Sequence, residues 1–151
     1  MLPTRVIHPS APANLRVGID LVRVSHIAES VERFGERFLT RIFTSQEIAY
    51  AASSPACRNE RLAARFAAKE AAMKALQLAD EGIAWTDLEV ARQPSGDCSL
   101  RLNGAAQRAA ERAGTYELAL SLSHEGDLAT AIVVAQRTMS SEVHDDLPVF
   151  S

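Results

Sequence analysis

Between Asn59 and Leu78 the sequence is rich in Ala, Leu, Glu, Lys and Arg and holds no Gly or Pro. That composition predicts one long helix. At ~100° per residue, Leu62, Phe66, Met73 and Leu76 fall within a stripe about 80° wide. Lys69 lies inside that stripe, Glu70 just beyond its edge, and Lys74 about 40° further round. Arg65 flanks the other side. A buried, unpaired charge costs several kcal/mol or shifts its pKa until it is neutral. Two explanations fit. The side chains reach past the seam to water, with Glu70 and Lys74 as an ordinary i,i+4 pair. Alternatively the group is an anion or metal site, in which Glu70 offers a hard oxygen and Arg65, Lys69 and Lys74 supply positive charge for phosphates. The second explanation needs another carboxylate beside Glu70, and Asp20 is the candidate.

A second cluster is Ser121-Leu122-Ser123-His124. Serine and histidine together suggest a hydrolase. No Gly-x-Ser-x-Gly turn is present to expose a nucleophile, and no third member is evident. Serines on the open face of a strand, with His124 at its end, suit hydrogen bonds to a polar ligand better. His8 and His144 lie near the ends and His26 stands alone, so no metal spacing arises.

Several elements must position these residues. Val17, Ile19 and Leu21 alternate, which predicts a half-buried strand with Asp20 on the face opposite those three. A helix follows, with Ser25 as its N-cap and Ile27, Val31 and Phe34 as its apolar stripe. Thr44 and Glu47 form a capping box for a short helix that Ser53-Ser54-Pro55 ends. After the long helix, Leu88 and Val90 predict a strand. Pro94 to Asp97 is a hairpin turn, and Leu100 and Leu102 sit on the returning strand. Gly104 to Ala113 is helical, with Gly114 just past its end. Leu118, Leu120 and Leu122 alternate, and 128–135 is a nearly continuous apolar run. Gly126-Asp127 between them predicts a final hairpin. The order predicts an α+β fold with a mostly antiparallel sheet. Residues 1–14 and 137–151 read as flexible tails, leaving a single domain over 15–136.

Composition narrows the function. The chain has 151 residues, 47% of them hydrophobic and 23% charged, with a formal charge of −3. That length suits one domain with its own core. A net acidic chain argues against general nucleic-acid binding. No apolar run approaches a membrane span or an export signal. Cys57 and Cys98 match no zinc spacing, which fits a reduced, cytoplasmic setting.

These pieces resemble a known family. Gly18-Ile19-Asp20, then Arg65-Phe66-Ala67-Ala68-Lys69-Glu70-Ala71-Ala72-Met73-Lys74-Ala75, then Ser121-Leu122-Ser123-His124 follow the order and spacing of the holo-(acyl-carrier-protein) synthases. These are small 4′-phosphopantetheinyl transferases. The resemblance spans Val17 to Val134, and the stretch around Lys69 and Glu70 is its most specific part. It implies the 4′-phosphopantetheinyl transferase fold, a sheet wrapped around a long helix, assembled as a homotrimer with active sites at subunit interfaces. It implies transfer of phosphopantetheine from coenzyme A to a serine of an acyl carrier protein, with magnesium, releasing 3′,5′-ADP. Such a reaction belongs to fatty acid and lipid metabolism. By the same resemblance Asp20 and Glu70 are metal ligands. Lys74 stands near the pyrophosphate, and Arg65, Lys69, Ser123 and His124 lie near coenzyme A. The base is Glu70 or a metal-bound hydroxide.

The chain departs from the family pattern at several points. Arg23 stands where an acidic residue is usual and His26 where an arginine is usual, both on the side that meets the carrier. Gln77 and Ala64 replace glycines, and Gly96-Asp97-Cys98 replaces Gly-x-Pro. A divergent member is implied. Arg23 and His26, with Arg33, Arg37 and Arg41, form a candidate face for an acidic carrier, or else a solvated helix face. The alternative to an active transferase is a non-catalytic relative that binds coenzyme A or a carrier protein.

Overall fold

The computed structural model describes residues 14–78, 82–114 and 116–138. Five strands and five α-helices follow one another. They are β1 (Leu15–Arg23), α1 (Val24–Phe34), α2 (Glu36–Ile42), α3 (Ser45–Ala52), α4 (Arg58–Leu76), β2 (Leu88–Arg92), β3 (Cys98–Leu102), α5 (Gly104–Arg112), β4 (Tyr116–Glu125) and β5 (Leu128–Arg137). The expected α+β class and antiparallel pairing are present. The strands form two sheets, however: a three-stranded β1-β5-β4 sheet and a separate β2-β3 hairpin. β5 pairs antiparallel with both neighbours, and Asp20 faces Ala131 across the ladder.

The sheet lies against α4 through an unusually small seam. α4 buries Ala67, Ala68, Ala71, Ala72 and Ala75 in a cluster with Ala131, Val133 and Ala135 of β5. Small side chains let the backbones approach closely. A Cβ added at Gly18 would lie 1.9 Å from the Ala71 carbonyl oxygen. Glycine is therefore obligatory there for reasons of space.

This seam inverts one expectation. β1 alternates as predicted, but Gly18, Asp20 and Val22 are its inner residues. Val17, Ile19 and Leu21 point outward and remain 56%, 62% and 62% exposed. A row of large side chains could not fit where Gly18 meets α4. With Leu128 and Ile132, also exposed, they make an apolar outer sheet face.

Two other expectations change. Ser25 is not the N-cap of α1, which begins at Val24. Its backbone N–H and hydroxyl donate to Asp127 at 2.8 and 2.7 Å, tying α1 to the β4–β5 turn. Those two bonds hold the Asp127 carboxyl below its ordinary value. Phe34 is exposed, with the Arg33 guanidinium 5.2 Å above its ring, and so leaves the apolar stripe of α1. Arg137 belongs to β5, and its N–H donates to the Asn14 carbonyl. The rest of the expected tails, 1–13 and 139–151, lies outside the described residues.

The Thr44–Glu47 capping box is present: Thr44 N–H donates to Glu47 Oε1 at 3.0 Å, and Glu47 N–H to Thr44 Oγ1 at 3.3 Å. α4 ends at Gln77, whose φ of 55° and ψ of 47° are left-handed. Glycine adopts that conformation without cost, so Gln77 is a strained stop where the family pattern has glycine.

Candidate active site

Asp20 reaches α4 because the β1–α4 seam is so tight. The Lys74 ammonium donates to Asp20 Oδ1 and to the Ile19 carbonyl, both at 2.9 Å. Asp20 is mostly shielded, with its side chain 16% exposed, whereas that of Lys74 is 53% exposed. Glu70 lies one turn before Lys74 on the same helix. Among the described residues it has neither a hydrogen bond nor an ion pair. Burial pushes its carboxyl above the ordinary value, the Asp20 charge adds to that, and Lys74 offsets part of it.

Asp20 and Glu70 line one cleft of about 770 Å³ with Arg23, His26, Ile27 and Phe66. Phe66 is fixed by stacking on Trp85 at 5.0 Å between ring centroids. The cleft therefore joins two carboxylates, a cationic rim and apolar walls. Two hard oxygen donors facing one space, one of them with neither a hydrogen bond nor an ion pair among the described residues, suit a small divalent cation that takes its remaining ligands from water and substrate. No group of three or more potential metal ligands occurs among the described residues.

Arg65 and His124 line a second pocket of about 500 Å³. The two pockets share no lining residue. His124 Nδ1 sits 3.8 Å from Glu60 Oε2. Ser123 lines a smaller recess with His124, Leu21 and Thr130. Arg65 is only 3% exposed, and its Nε has no hydrogen-bond partner.

Lys69 departs from expectation. Its ammonium is fully buried and pairs with Glu47 Oε1 at 2.6 Å. It also donates to the Ile42 and Trp85 carbonyls at 2.7 and 3.1 Å. Glu47 Oε2 accepts from Val90 N–H at 3.1 Å. These bonds satisfy the ammonium internally, and Lys69 lines neither of the two pockets. Burial lowers the Lys69 pKa, and Glu47 opposes that shift. The pair joins α3, α4, β2 and the end of α2 at one point.

Sequence reasoning missed Glu47 as the partner of Lys69, because its capping box already accounted for it. It also missed Tyr50, Arg61 and Arg92, which line the second pocket with Arg65. Their only signal was the excess of arginine around one aromatic residue, spread over three elements.

A family model described as the 4′-phosphopantetheinyl transferase superfamily matches residues 16–133. The holo-(acyl-carrier-protein) synthase of Koribacter versatilis is 46% identical over 123 residues, covering 81% of this chain and 98% of the relative. That of Solibacter usitatus is 45% identical, covering 79% and 95%. Among solved structures, the Chronobacterium ammoniagenes ACPS–CoA complex superposes with a TM-score of 0.72 at 36% identity, covering 83% and 98%. The Helicobacter pylori holo-(acyl-carrier-protein) synthase in complex with coenzyme A gives 0.69 at 28%, covering 80% and 99%. The seam that brings Asp20 to Glu70 and Lys74 is thus set in a known frame, and the chain belongs to the 4′-phosphopantetheinyl transferase superfamily and, within it, to the holo-(acyl-carrier-protein) synthases.

Proposed function

We propose that the β1–α4 cleft holds the pyrophosphate of coenzyme A while phosphopantetheine passes to a serine of an acyl carrier protein. The convergence of Asp20, Glu70 and Lys74 from two elements carries this reading. The serine oxygen attacks the phosphorus that bears the pantetheine arm. A new P–O ester forms, the P–O–P bridge breaks, and 3′,5′-ADP leaves. The serine proton passes to a base. Glu70 suits that role as a carboxylate that lines the cleft with neither a hydrogen bond nor an ion pair among the described residues. Asp20 and Glu70 would hold magnesium, whose charge stabilises the phosphate oxygens. Lys74, anchored on Asp20, presents positive charge to the leaving phosphate.

Arg65, Ser123 and His124 belong to the coenzyme A surface in this reading, and Lys69 does not. Arg23 and His26 sit on the cleft rim, where an acidic carrier would arrive. The exposed face of Val17, Ile19, Leu21, Leu128 and Ile132 is apolar enough to be an association surface. It fits assembly of the chain as a homotrimer. No helix among the described residues is long and apolar enough to cross a membrane. A cytoplasmic enzyme of fatty acid biosynthesis is the setting that fits best.

Intact-mass spectrometry of an apo acyl carrier protein incubated with the protein, coenzyme A and magnesium tests this, beside an EDTA control. A phosphopantetheine adduct that EDTA prevents is expected. Asp20→Ala and Glu70→Ala should each abolish it. Full activity in either variant, or an adduct indifferent to EDTA, overturns the site assignment.

A further inference from the structure

The β4–β5 turn grips the start of α1 more closely than strand pairing requires. The β1–β5 ladder ends with Arg23 opposite Leu128. One residue further on, Val24 N–H donates to the Asp127 carbonyl at 2.8 Å. The carboxylate oxygens of Asp127 then accept from the Ser25 N–H and the Ser25 hydroxyl, at 2.8 and 2.7 Å. Two of the N–H groups that open the helix are thus satisfied by one residue, 102 positions from Ser25 in the chain. α1 has no local substitute. Its N-cap residue, Arg23, makes no side-chain cap bond, and its first turn holds no acidic residue.

Little else fixes this end of α1, in which only Ile27 is buried. The clamp is solvent-exposed. Water competes for its bonds, so it adds little to global stability. What it settles is where the start of α1 lies relative to the sheet. Arg23, His26, Ile27 and Ser30 lie at or just beyond that point, and they line the carboxylate cleft with Asp20 and Glu70. None of the four lines the second pocket. Asp127 itself lines neither pocket, so its influence passes through α1. Its charge also reaches the rim. After the two Ser25 bonds, Arg23 and His26 help to hold its carboxyl below the ordinary value.

We propose that Asp127 is a positioning residue for carrier recognition: from the β4–β5 turn it clamps the start of α1 and sets the place of Arg23 and His26 on the cleft rim. The partner it serves is an acidic carrier protein, so the proposal rests on the transfer reaction proposed above. A wall already in place needs no ordering when the carrier docks. Without the clamp the cationic rim samples several positions, and docking must select one of them. Coenzyme A is spared that cost where Arg65 and His124 hold it, in a pocket that α1 does not line.

Steady-state transfer, with the carrier and coenzyme A varied in turn, tests the proposal. Asp127→Ala should raise KM for the carrier by about fivefold, the scale of one ordinary hydrogen bond. KM for coenzyme A and kcat should stay nearly unchanged. Asp127→Asn keeps the geometry, because its carbonyl oxygen accepts from the Ser25 N–H and its amide donates to the Ser25 hydroxyl. The carrier KM should then return most of the way to that of the wild type. Ser25→Ala removes one bond and should raise the carrier KM by a smaller factor, which carries the test should Asp127→Ala not fold. A carrier KM unchanged in Asp127→Ala or Ser25→Ala, or equal rises for both substrates, would mean a merely structural turn and overturn the proposal. So would an Asp127→Asn variant no better than Asp127→Ala. A carrier KM lowered in both Asp127 variants would mean that the carboxylate acts only by repelling the carrier, and overturns it too. All these outcomes come from a wild type that transfers, and they leave the proposed function standing. A wild type that transfers nothing defeats the proposed function, and this inference with it.

Discussion

Lys69 and Lys74 share one helix and opposite fates. Lys69 is wholly buried and spends its charge on Glu47 and two carbonyls. Lys74 is half exposed and leans on Asp20 at the edge of a cleft. Neither outcome is encoded in α4 itself. The difference lies in what faces each lysine: α3 brings a buried carboxylate to one, and β1 brings a partly open one to the other. A buried ion pair holds elements together at a desolvation cost, whereas an exposed pair contributes little stability and keeps its charge available. In one molecule, the same residue type thus serves as an internal fastener at one position and keeps its charge open to solvent at another.

The contrast can be broken by mutation. Lys69→Met strands Glu47 in the interior without its cation, and should cost about 3–5 kcal/mol of stability. Urea unfolding measures that loss, and a cost under about 1 kcal/mol would show the pair to be dispensable. Lys74→Met should leave the urea midpoint nearly unchanged, since exposed pairs contribute at most about 1 kcal/mol. It should instead lower kcat by about 10²–10³-fold, the scale of losing one group that stabilises transition-state charge. A large drop in stability with near-normal turnover would make the two lysines alike. The smallest effect sharpens the comparison through Glu70. Its pKa is raised in the folded protein, so protonation favours folding. That contribution is complete below the ordinary glutamate value and is lost as pH rises through the raised one. In EDTA, Glu70→Gln should flatten this part of the stability–pH curve. An unchanged slope would mean that Glu70 is not perturbed.

Much of the frame is readable from local signals. The Thr44–Glu47 capping box, the long α4 and the final hairpin follow from cap chemistry, helix propensity and turn residues. Helix geometry grouped Glu70 with Lys74 and called for a second carboxylate, with Asp20 as candidate; the family resemblance was needed to choose that explanation, since β1 and α4 are far apart in the chain. The inward face of β1 was not legible. Alternating hydrophobicity identifies a strand, but it assumes that apolar means inside. Gly18 has no side chain to register in such a pattern, yet its absence of bulk decides which face meets α4. Glu47 was half legible, because a residue with one local job gives no sign of a second, distant partner. Tyr50, Arg61 and Arg92 depend on α3, α4 and the end of β2 meeting, which no single periodicity reports.

The contact between Gly18 and the Ala71 carbonyl also bears on motion. Between most packed elements, side chains of some length act as bearings and let one surface slide on the other. Here a strand and a helix meet almost backbone to backbone, with methyl groups for the remaining clearance. Such a joint has no slack for sliding. Asp20 and Glu70 therefore travel as parts of one rigid body, and the distance between them changes only by rapid side-chain rotation. Any slower opening that admits a bulky partner falls to the opposite wall of the cleft, where α1 and α2 are joined through Gly35 at a positive φ of 55°.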